Sequence, residues 1–234
     1  MTLEAFAWSV LSSATAGLLL LIAGSVLSKR LRWMLTGALG RLLDVDIDHV
    51  FGSSREAQRD IESSIRRASK VRILTGRGHD LQLQTFTHLF AGRPTRGGAN
   101  VQILLPTPTP QVSSIDWTAL REAELEGFDP AFGQGLLRQQ IEASASFLIG
   151  HARLGVEIRF FDAPHLGRLI ITNHEAYLTL YAAKRHGRDS RIYMFRRGDL
   201  YDGLERYFDL LWAASKSAST NAPNLPSLHT STVP

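Results

Sequence analysis

The sequence predicts an α/β fold, a mixed β-sheet flanked by helices, preceded by one transmembrane α-helix. Three observations predict it. Residues 5–28 form one apolar segment without a charged side chain. Helical periodicity and short apolar runs then alternate as far as residue 151, and four consecutive strand patterns follow. Helices between early strands, followed by successive strands, favour an α/β sandwich on a mixed sheet.

Composition excludes several classes of protein. With 44% hydrophobic and 21% charged residues, the 234-residue chain is neither wholly disordered nor collagen-like. It has no cysteine, which excludes disulfides, thiolate zinc sites and a cysteine nucleophile. The net charge of +4 comes from scattered basic residues without an aromatic-basic stripe, so no specific nucleic acid is predicted as a partner. No cofactor and no metal site are predicted, because His174 and His186 lack carboxylates at ligand spacing.

The apolar segment predicts a membrane span. As a helix, residues 5–28 would extend about 36 Å at 1.5 Å per residue, enough to cross the hydrocarbon core. A cleaved signal peptide would carry lysine or arginine before the apolar run, whereas here Glu4 precedes it and Lys29 and Arg30 follow it. The positive-inside rule then predicts a single-pass protein of the inner (cytoplasmic) membrane whose C-terminal domain lies in the cytoplasm.

Small residues recur along one face of this segment. Ser9, Ser13 and Gly17 are four residues apart, a spacing that lets membrane helices approach closely. The pattern indicates a homodimer or higher homo-oligomer through this face. Small residues are common in such helices, so an anchor without self-association stays open.

The rest of the chain divides by composition. Residues 29–53 are predicted to be a juxtamembrane connector, and the D-x-D-x-D run at 44–48 is interpreted as a solvated acidic turn. Residues 54–216 are predicted to form the cytoplasmic domain. Residues 217–234 are rich in Ser, Thr, Asn and Pro, which predicts a disordered tail.

Within the domain, capping residues and apolar periodicity place the elements. Ser54 is predicted to cap a first helix that carries Ile61 and Ile65 on its buried face. Asp129 and Pro130 predict the start of a long helix that ends near residue 151. Other helices are predicted over 81–90, 114–127 and 199–215, and strands over 71–75, 101–105, 156–161, 168–172, 176–181 and 191–195.

Four segments resemble one known family. They are Val-Arg-Ile-Leu-Thr-Gly-Arg-Gly at 71–78, Val-Gln-Ile-Leu-Leu-Pro at 101–106, Val-Glu-Ile-Arg-Phe-Phe-Asp at 156–162 and Leu-Gly-Arg-Leu-Ile-Ile-Thr-Asn at 166–173. With the order of elements, they resemble a single-copy domain of the phospholipase D superfamily. The resemblance covers residues 71–212 and implies a phospholipase D-like sandwich.

The resemblance also implies a site, which this sequence has lost in part. The family's motif is H-x-K-x4-D, in which histidine attacks phosphorus, lysine binds phosphate and aspartate supports the histidine. By spacing, Leu166 stands at the histidine, Arg168 at the lysine and Asn173 at the aspartate. Leucine has no lone pair to attack phosphorus. The resemblance therefore implies an inactive domain that retains a phosphate-binding cation.

His165 keeps a second interpretation open. It stands one residue before Leu166, and in a regular strand its side chain points to the face opposite Leu166 and Arg168. Irregular backbone beside Pro164 would turn it into the pocket, where it would serve as the nucleophile. The alternative is a histidine at a strand end without a chemical role.

Other residues are candidates for an anion site. Gly76, Arg77, Gly78 and His79 lie between a strand and a helix start, where backbone N–H groups favour anions, although such glycines often only make the turn. Two further cations flank a later polar loop and are candidate phosphate ligands, with a solvated turn as the alternative: Arg188 and Arg191.

Three functions compete at this stage. The first is a membrane-anchored, catalytically silent module that binds a phosphate-containing ligand such as a nucleotide, with bacterial antiphage or stress signalling as an analogy. The second is an active phosphodiesterase, a nuclease or phospholipase, that uses His165 in a homodimer. The third is a membrane scaffold that recruits a protein partner.

Overall fold

The computed structural model describes residues 46–82, 100–108, 115–151, 156–182 and 184–217, and six single residues. The single residues are Thr15, Gly17, Leu18, Leu20, Phe86 and Leu89. The chain divides into two compact units, residues 1–49 and 50–234. The second unit carries the site described below.

Most of the predicted anchor lies outside the described residues. Within 5–28 the structure describes only four positions, all helical, and Gly17 is one of them. Ser9 and Ser13, and most of the connector, are not described. No helix in the described ranges is both long and apolar enough to cross a bilayer.

Among the described residues, eight strands form one mixed sheet flanked by helices, which confirms the predicted α/β class of the domain. Their bounds are β1 Ile47–Phe51, β2 Lys70–Leu74, β3 Asn100–Pro106, β4 Val156–Phe161, β5 Gly167–Ile171, β6 Glu175–Leu180, β7 Ile192–Arg196 and β8 Lys216–Ser217. The order across the sheet is β1-β7-β6-β5-β2-β3-β4-β8. Strands β2, β3 and β4 are parallel, whereas β5 runs antiparallel to β2 and β6, and β6 antiparallel to β7.

Within the continuous described ranges, four α-helices flank the sheet: α1 Ser54–Arg67, α2 Trp117–Glu126, α3 Leu136–His151 and α4 Asp199–Ala214. The N-cap of α1 is Ser53, one residue before the prediction, and its side chain accepts from the backbone N–H of Glu56. The Glu56 carboxylate accepts in return from the N–H of Gly52 at 2.9 Å, so both groups fix the helix start. Ile61 and Ile65 are buried, as predicted.

Helix α3 begins later than predicted. The Asp129 side chain accepts from the backbone N–H of Ala131, which makes a local turn rather than a helix cap. Gln134 and Gly135 then take positive φ angles of 58° and 84°, and the helix starts only at Leu136. Asp-Pro has the composition of a helix start, but two left-handed residues interrupt the chain before the helix can form.

Two predicted boundaries need correction. Asp48 lies inside β1, so the connector contains a strand where an acidic turn was predicted. Ser217, the first residue of the predicted tail, lies in β8, and that strand pairs with β4 opposite Arg159. The remaining tail lies outside the described residues.

The main core lies between one face of the sheet and helices α1 and α3, and a buried cation lies on the opposite face of the sheet, against α4. Arg72 on β2 is only 5% exposed, and its guanidinium contacts Glu205 at 2.6 Å and Asp209 at 2.8 Å on α4. The same guanidinium lies 5.6 Å from the ring centroid of Phe208. A buried arginine needs such partners, so this cluster fixes α4 against the sheet.

Candidate functional site

The antiparallel register of β2 and β5 gathers the site at one end of the sheet. Leu74 pairs with Leu169, so the loop that follows β2 lies beside the start of β5. A cavity of about 400 Å³ opens there, within the range of small-ligand sites. Its lining residues are Thr75, Gly76, Arg77, Gly78, His79, Asp80, Arg121, Leu125, Leu137, Gln140, His165, Arg168, Tyr181, His186, Gly187 and Arg188.

Arg168 is the buried cation of this cavity. Its side chain is 9% exposed, and one terminal nitrogen contacts the Asp80 carboxylate at 2.7 Å. The other terminal nitrogen donates to the Ser54 hydroxyl at 3.0 Å. The structure thus places the predicted phosphate-binding arginine in the cavity and adds two partners, Asp80 and Ser54, that sequence reasoning missed.

A tyrosine ring shapes the loop after β2. Tyr181 accepts a hydrogen bond from the backbone N–H of Gly76 at 3.3 Å. A Cβ on Gly76 would lie 2.9 Å from this ring, and one on Gly187 would lie 2.7 Å from it. The ring therefore fills the space that a side chain at Gly76 or Gly187 would need. Burial raises the pKa of its hydroxyl, so Tyr181 stays neutral in the cavity.

Gly78 closes the same loop. Its φ of 75° lies in the left-handed region, and a Cβ there would lie 2.9 Å from Leu105 and 3.0 Å from Ser144. Glycine is therefore required by both conformation and space. The turn that it makes leads into the short 3-10 helix His79–Gln82, which carries Asp80.

Two further arginines line the cavity against aromatic rings. The Arg121 guanidinium lies 5.2 Å from the centroid of Tyr181, and that of Arg77 lies 5.3 Å from the centroid of Phe132. Arg121 also contacts Glu124 at 2.6 Å. Sequence reasoning predicted Arg77 but missed Arg121, because an arginine within a helical pattern looks like part of a solvated face until the helix is docked.

His165 lines the cavity, contrary to the expectation for a regular strand. Strand β5 starts only at Gly167, and the N–H of Leu166 bonds back to the carbonyl of Pro164 at 3.0 Å. This turn faces the histidine inward and leaves Leu166 64% exposed. Its Nδ1 is buried and has no hydrogen-bond partner within the described part of the chain. Burial, and then the nearby charge of Arg121, lower the His165 pKa from 6.5 to about 4, so the ring is neutral at pH 7.

This lowered pKa predicts how stability changes with pH. Below pH 6.5 the unfolded state binds a proton on His165 that the folded state does not accept until about pH 4, so acid favours unfolding. The contribution of neutral His165 to the free energy of unfolding is therefore present above pH 6.5 and is lost as the pH falls from 6.5 towards 4. Between pH 7.5 and 5 we expect the wild type to lose about 2 kcal/mol more than His165→Gln, measured by urea unfolding. Equal losses in both proteins would show that His165 titrates normally.

Two predicted site residues lie elsewhere. Asn173 follows the far end of β5, where its side-chain oxygen accepts from the backbone N–H groups of Ser69 at 2.8 Å and Lys70 at 3.0 Å. It holds a turn and does not line the cavity. Arg191 is exposed just before β7 and does not line the cavity either. For Asn173 the reason is distance: the five residues of strand from Arg168 to Asn173 extend about 16 Å, so the two side chains lie at opposite ends of β5.

The remaining candidates gather at the rim. Arg188 lines the cavity with a 74% exposed side chain, 3.5 Å from the Asp189 carboxylate. His186 contacts Asp129 at 3.0 Å and packs edge-on against Phe128. Among the described residues, no group of three or more His, Asp or Glu side chains is arranged to hold a metal ion.

No protein-family model matches the chain, and no curated protein does. Among solved structures, TrmBL2, an archaeal chromatin protein whose structure shows a novel mode of DNA binding, is similar over 92% of this chain and 69% of its own, at 13% identity and a TM-score of 0.43. Nuc from Salmonella typhimurium, a phospholipase D family member, is similar over 72% of this chain and 97% of its own, at 13% identity and a TM-score of 0.40. At these values both similarities concern only the coarse arrangement of helices and strands.

Proposed function

We propose that the cavity binds a phosphate-containing ligand, a nucleotide among the candidates, and that the domain acts as a sensor or effector without phosphoryl-transfer chemistry. One observation carries the proposal. Four arginines line the cavity, whereas only one of its described lining residues, Asp80, carries a carboxylate. Arginine forks match the geometry of phosphate oxygens, and their charge persists at any physiological pH.

The surroundings of these arginines strengthen the argument. The cavity-lining loop at Gly76–Gly78 follows a strand, as many anion-binding loops do. The side chains of Arg168 and Arg121 are each 9% exposed, so water weakens their attraction for a bound anion only a little. Leu166, which stands where the related family carries its nucleophile, is exposed and does not line the cavity. This supports binding rather than catalysis.

The wider role extends this proposal to the membrane. The apolar segment 5–28 would hold the domain at the cytoplasmic face of the inner membrane, and the small residues Ser9, Ser13 and Gly17 would bring copies together as a homodimer or larger oligomer. Ligand binding to the domain would then be coupled to self-association of the membrane anchors. Bacterial stress or antiviral signalling is the setting that this combination suggests by analogy.

Calorimetry on the full chain in mild detergent tests the binding proposal. Inorganic phosphate, ribose 5-phosphate and AMP are titrated at constant ionic strength, with acetate as the control anion. We expect at least one phosphate compound to bind, and at 100-fold its Kd to stabilise the fold by about 2.7 kcal/mol in a thermal scan. Equal responses to acetate, or no response to any phosphate compound, would contradict the proposal and leave the partner-recruiting scaffold.

One observation favours a second function, an active phosphodiesterase. His165 lies in the cavity and is neutral, so a ring nitrogen has a lone pair for attack on phosphorus. A P–N bond would form while the P–O bond to the leaving alcohol breaks. The alkoxide would take its proton from water, and a second water would hydrolyse the phosphoramidate.

Turnover of bis(p-nitrophenyl) phosphate distinguishes the two functions. The enzyme would release nitrophenolate, and His165→Asn would abolish the release, whereas the control His79→Asn, another cavity histidine, would retain part of it. An acid-labile phosphate on His165 would establish the covalent intermediate. The binding proposal predicts neither product nor adduct.

A further inference from the structure

The strongest feature that the proposed function leaves unused is the pair of partners on Arg168. Its two terminal nitrogens are committed to Asp80 at 2.7 Å and to Ser54 at 3.0 Å. Asp80 lines the same cavity, so a phosphate that bonds this guanidinium there meets the negative charge of the carboxylate. Ligand and Asp80 therefore compete for the positive charge of Arg168.

Unequal burial decides which partner leaves. The Arg168 side chain is 9% exposed, whereas that of Asp80 is 41% exposed. Releasing Asp80 returns a half-hydrated carboxylate to water at little cost, but withdrawing the arginine would require a rearrangement of β5. Asp80 sits on a single 3-10 turn that follows Gly78, and its carboxylate has no other hydrogen bond within the described part of the chain.

The second partner connects the cavity to a different element. Ser54 is the first residue of α1, directly after the N-cap Ser53. The helix beyond it is held by buried Ala57 and Ile61, so a lost contact at Ser54 affects its first turn alone. This turn immediately follows β1, at the end of the segment that joins the domain to the N-terminal part of the chain.

We propose that Asp80 is an internal occupant of the anion subsite at Arg168, which the ligand's phosphate displaces, and that the first turn of α1 registers the exchange. The inference rests on the proposed function and adds its regulation. Without ligand, the Asp80 carboxylate neutralises the charge of the buried arginine. Anions that bind Arg168 only weakly do not displace this carboxylate. With ligand, Arg168 turns to the phosphate, and both Asp80 and Ser54 lose their partner.

Titration of inorganic phosphate into the full chain in mild detergent tests the competition. Asp80→Asn removes the competing charge, and we expect it to tighten the phosphate Kd about ten-fold. Asp189→Asn is the matched control, since it makes the same change beside the exposed arginine Arg188, and we expect less than a two-fold effect. An unchanged or weaker Kd in Asp80→Asn, or an equal gain in both variants, would overturn the inference while the proposed function stands.

Thermal unfolding tests the proposal even if Asp80→Asn is less stable because Arg168 has lost its carboxylate partner. We then expect a lower Tm without phosphate and a larger phosphate-dependent rise in Tm than in the wild type. Hydrogen exchange supplies the second readout: saturating phosphate should speed the exchange of amides 54–58 in the wild type and leave them unchanged in Ser54→Ala. Slower exchange there would refute the link to α1. If neither the wild type nor Asp80→Asn binds phosphate, the proposed function fails as well.

Discussion

Replacing Arg168 by methionine is expected to weaken phosphate binding by at least about 30-fold, because truncating a buried, hydrogen-bonded charge that contacts the ligand costs 2 kcal/mol or more. Methionine keeps the apolar stem of the side chain and much of its volume. The Asp80 carboxylate that remains is 41% exposed, so water hydrates it and the fold loses only about 1–2 kcal/mol. Isothermal titration with inorganic phosphate measures the first effect and urea unfolding the second.

Arg191→Met is the matched control for this experiment. It also removes one positive charge from the domain, but the Arg191 side chain is exposed, precedes β7 and lies outside the cavity. We expect its phosphate Kd to stay within two-fold of the wild type. If both variants lose affinity equally, phosphate binds through the overall positive charge of the domain and not in the cavity.

Gly167→Val is expected to have the largest effect on stability. A Cβ at Gly167 would lie 2.3 Å from the carbonyl oxygen of Thr179, which is backbone of the neighbouring strand β6 and has no flexible end to move. The two strands must separate at the point where β5 begins, and we expect the free energy of unfolding to fall by about 3 kcal/mol. Because Arg168 is the next residue, phosphate affinity should fall with it.

Gly203→Ala provides the opposite control. This glycine lies on α4, and a Cβ there would have no heavy atom within 4 Å. Alanine is the better helix former, so the change should stabilise the protein by about 0.5–1 kcal/mol. Urea unfolding of both variants tests the pair, and a mild effect of Gly167→Val would mean that the strands have room at this position.

The strands could be predicted from sequence because their signal is local. Each of the six predicted strands has both ends within one residue of the observed position, since short apolar runs rich in isoleucine, valine and leucine are bounded by glycine, proline or polar residues. Strands β1 and β8 were missed. Strand β1 lies in an aspartate-rich segment and its apolar residues do not alternate, and β8 has two polar residues, so neither shows the apolar pattern of a strand.

The site was predictable only in part, because its contacts join distant positions. The loop glycines and Arg168 could be found from the sequence, but the partners of Arg168 lie 88 and 114 residues away along the chain. For His165 two placements stayed open, because strand periodicity does not apply to the turn before Gly167. Asn173 was misassigned because motif spacing does not reveal that its side chain caps the backbone of Ser69.

Helix α3 belongs to two separate groups of packed side chains. Its first half, with Leu137 and Ile141, packs with Leu125 of α2, whereas Ala145 and Leu148 join the main core beneath the sheet. Leu125 and Leu137, which line the cavity, belong to the small cluster, whereas Arg168, which also lines it, belongs to the sheet. A ligand that contacts both groups would link them. Ligand binding would then make the domain more rigid even if no helix or strand changes its position.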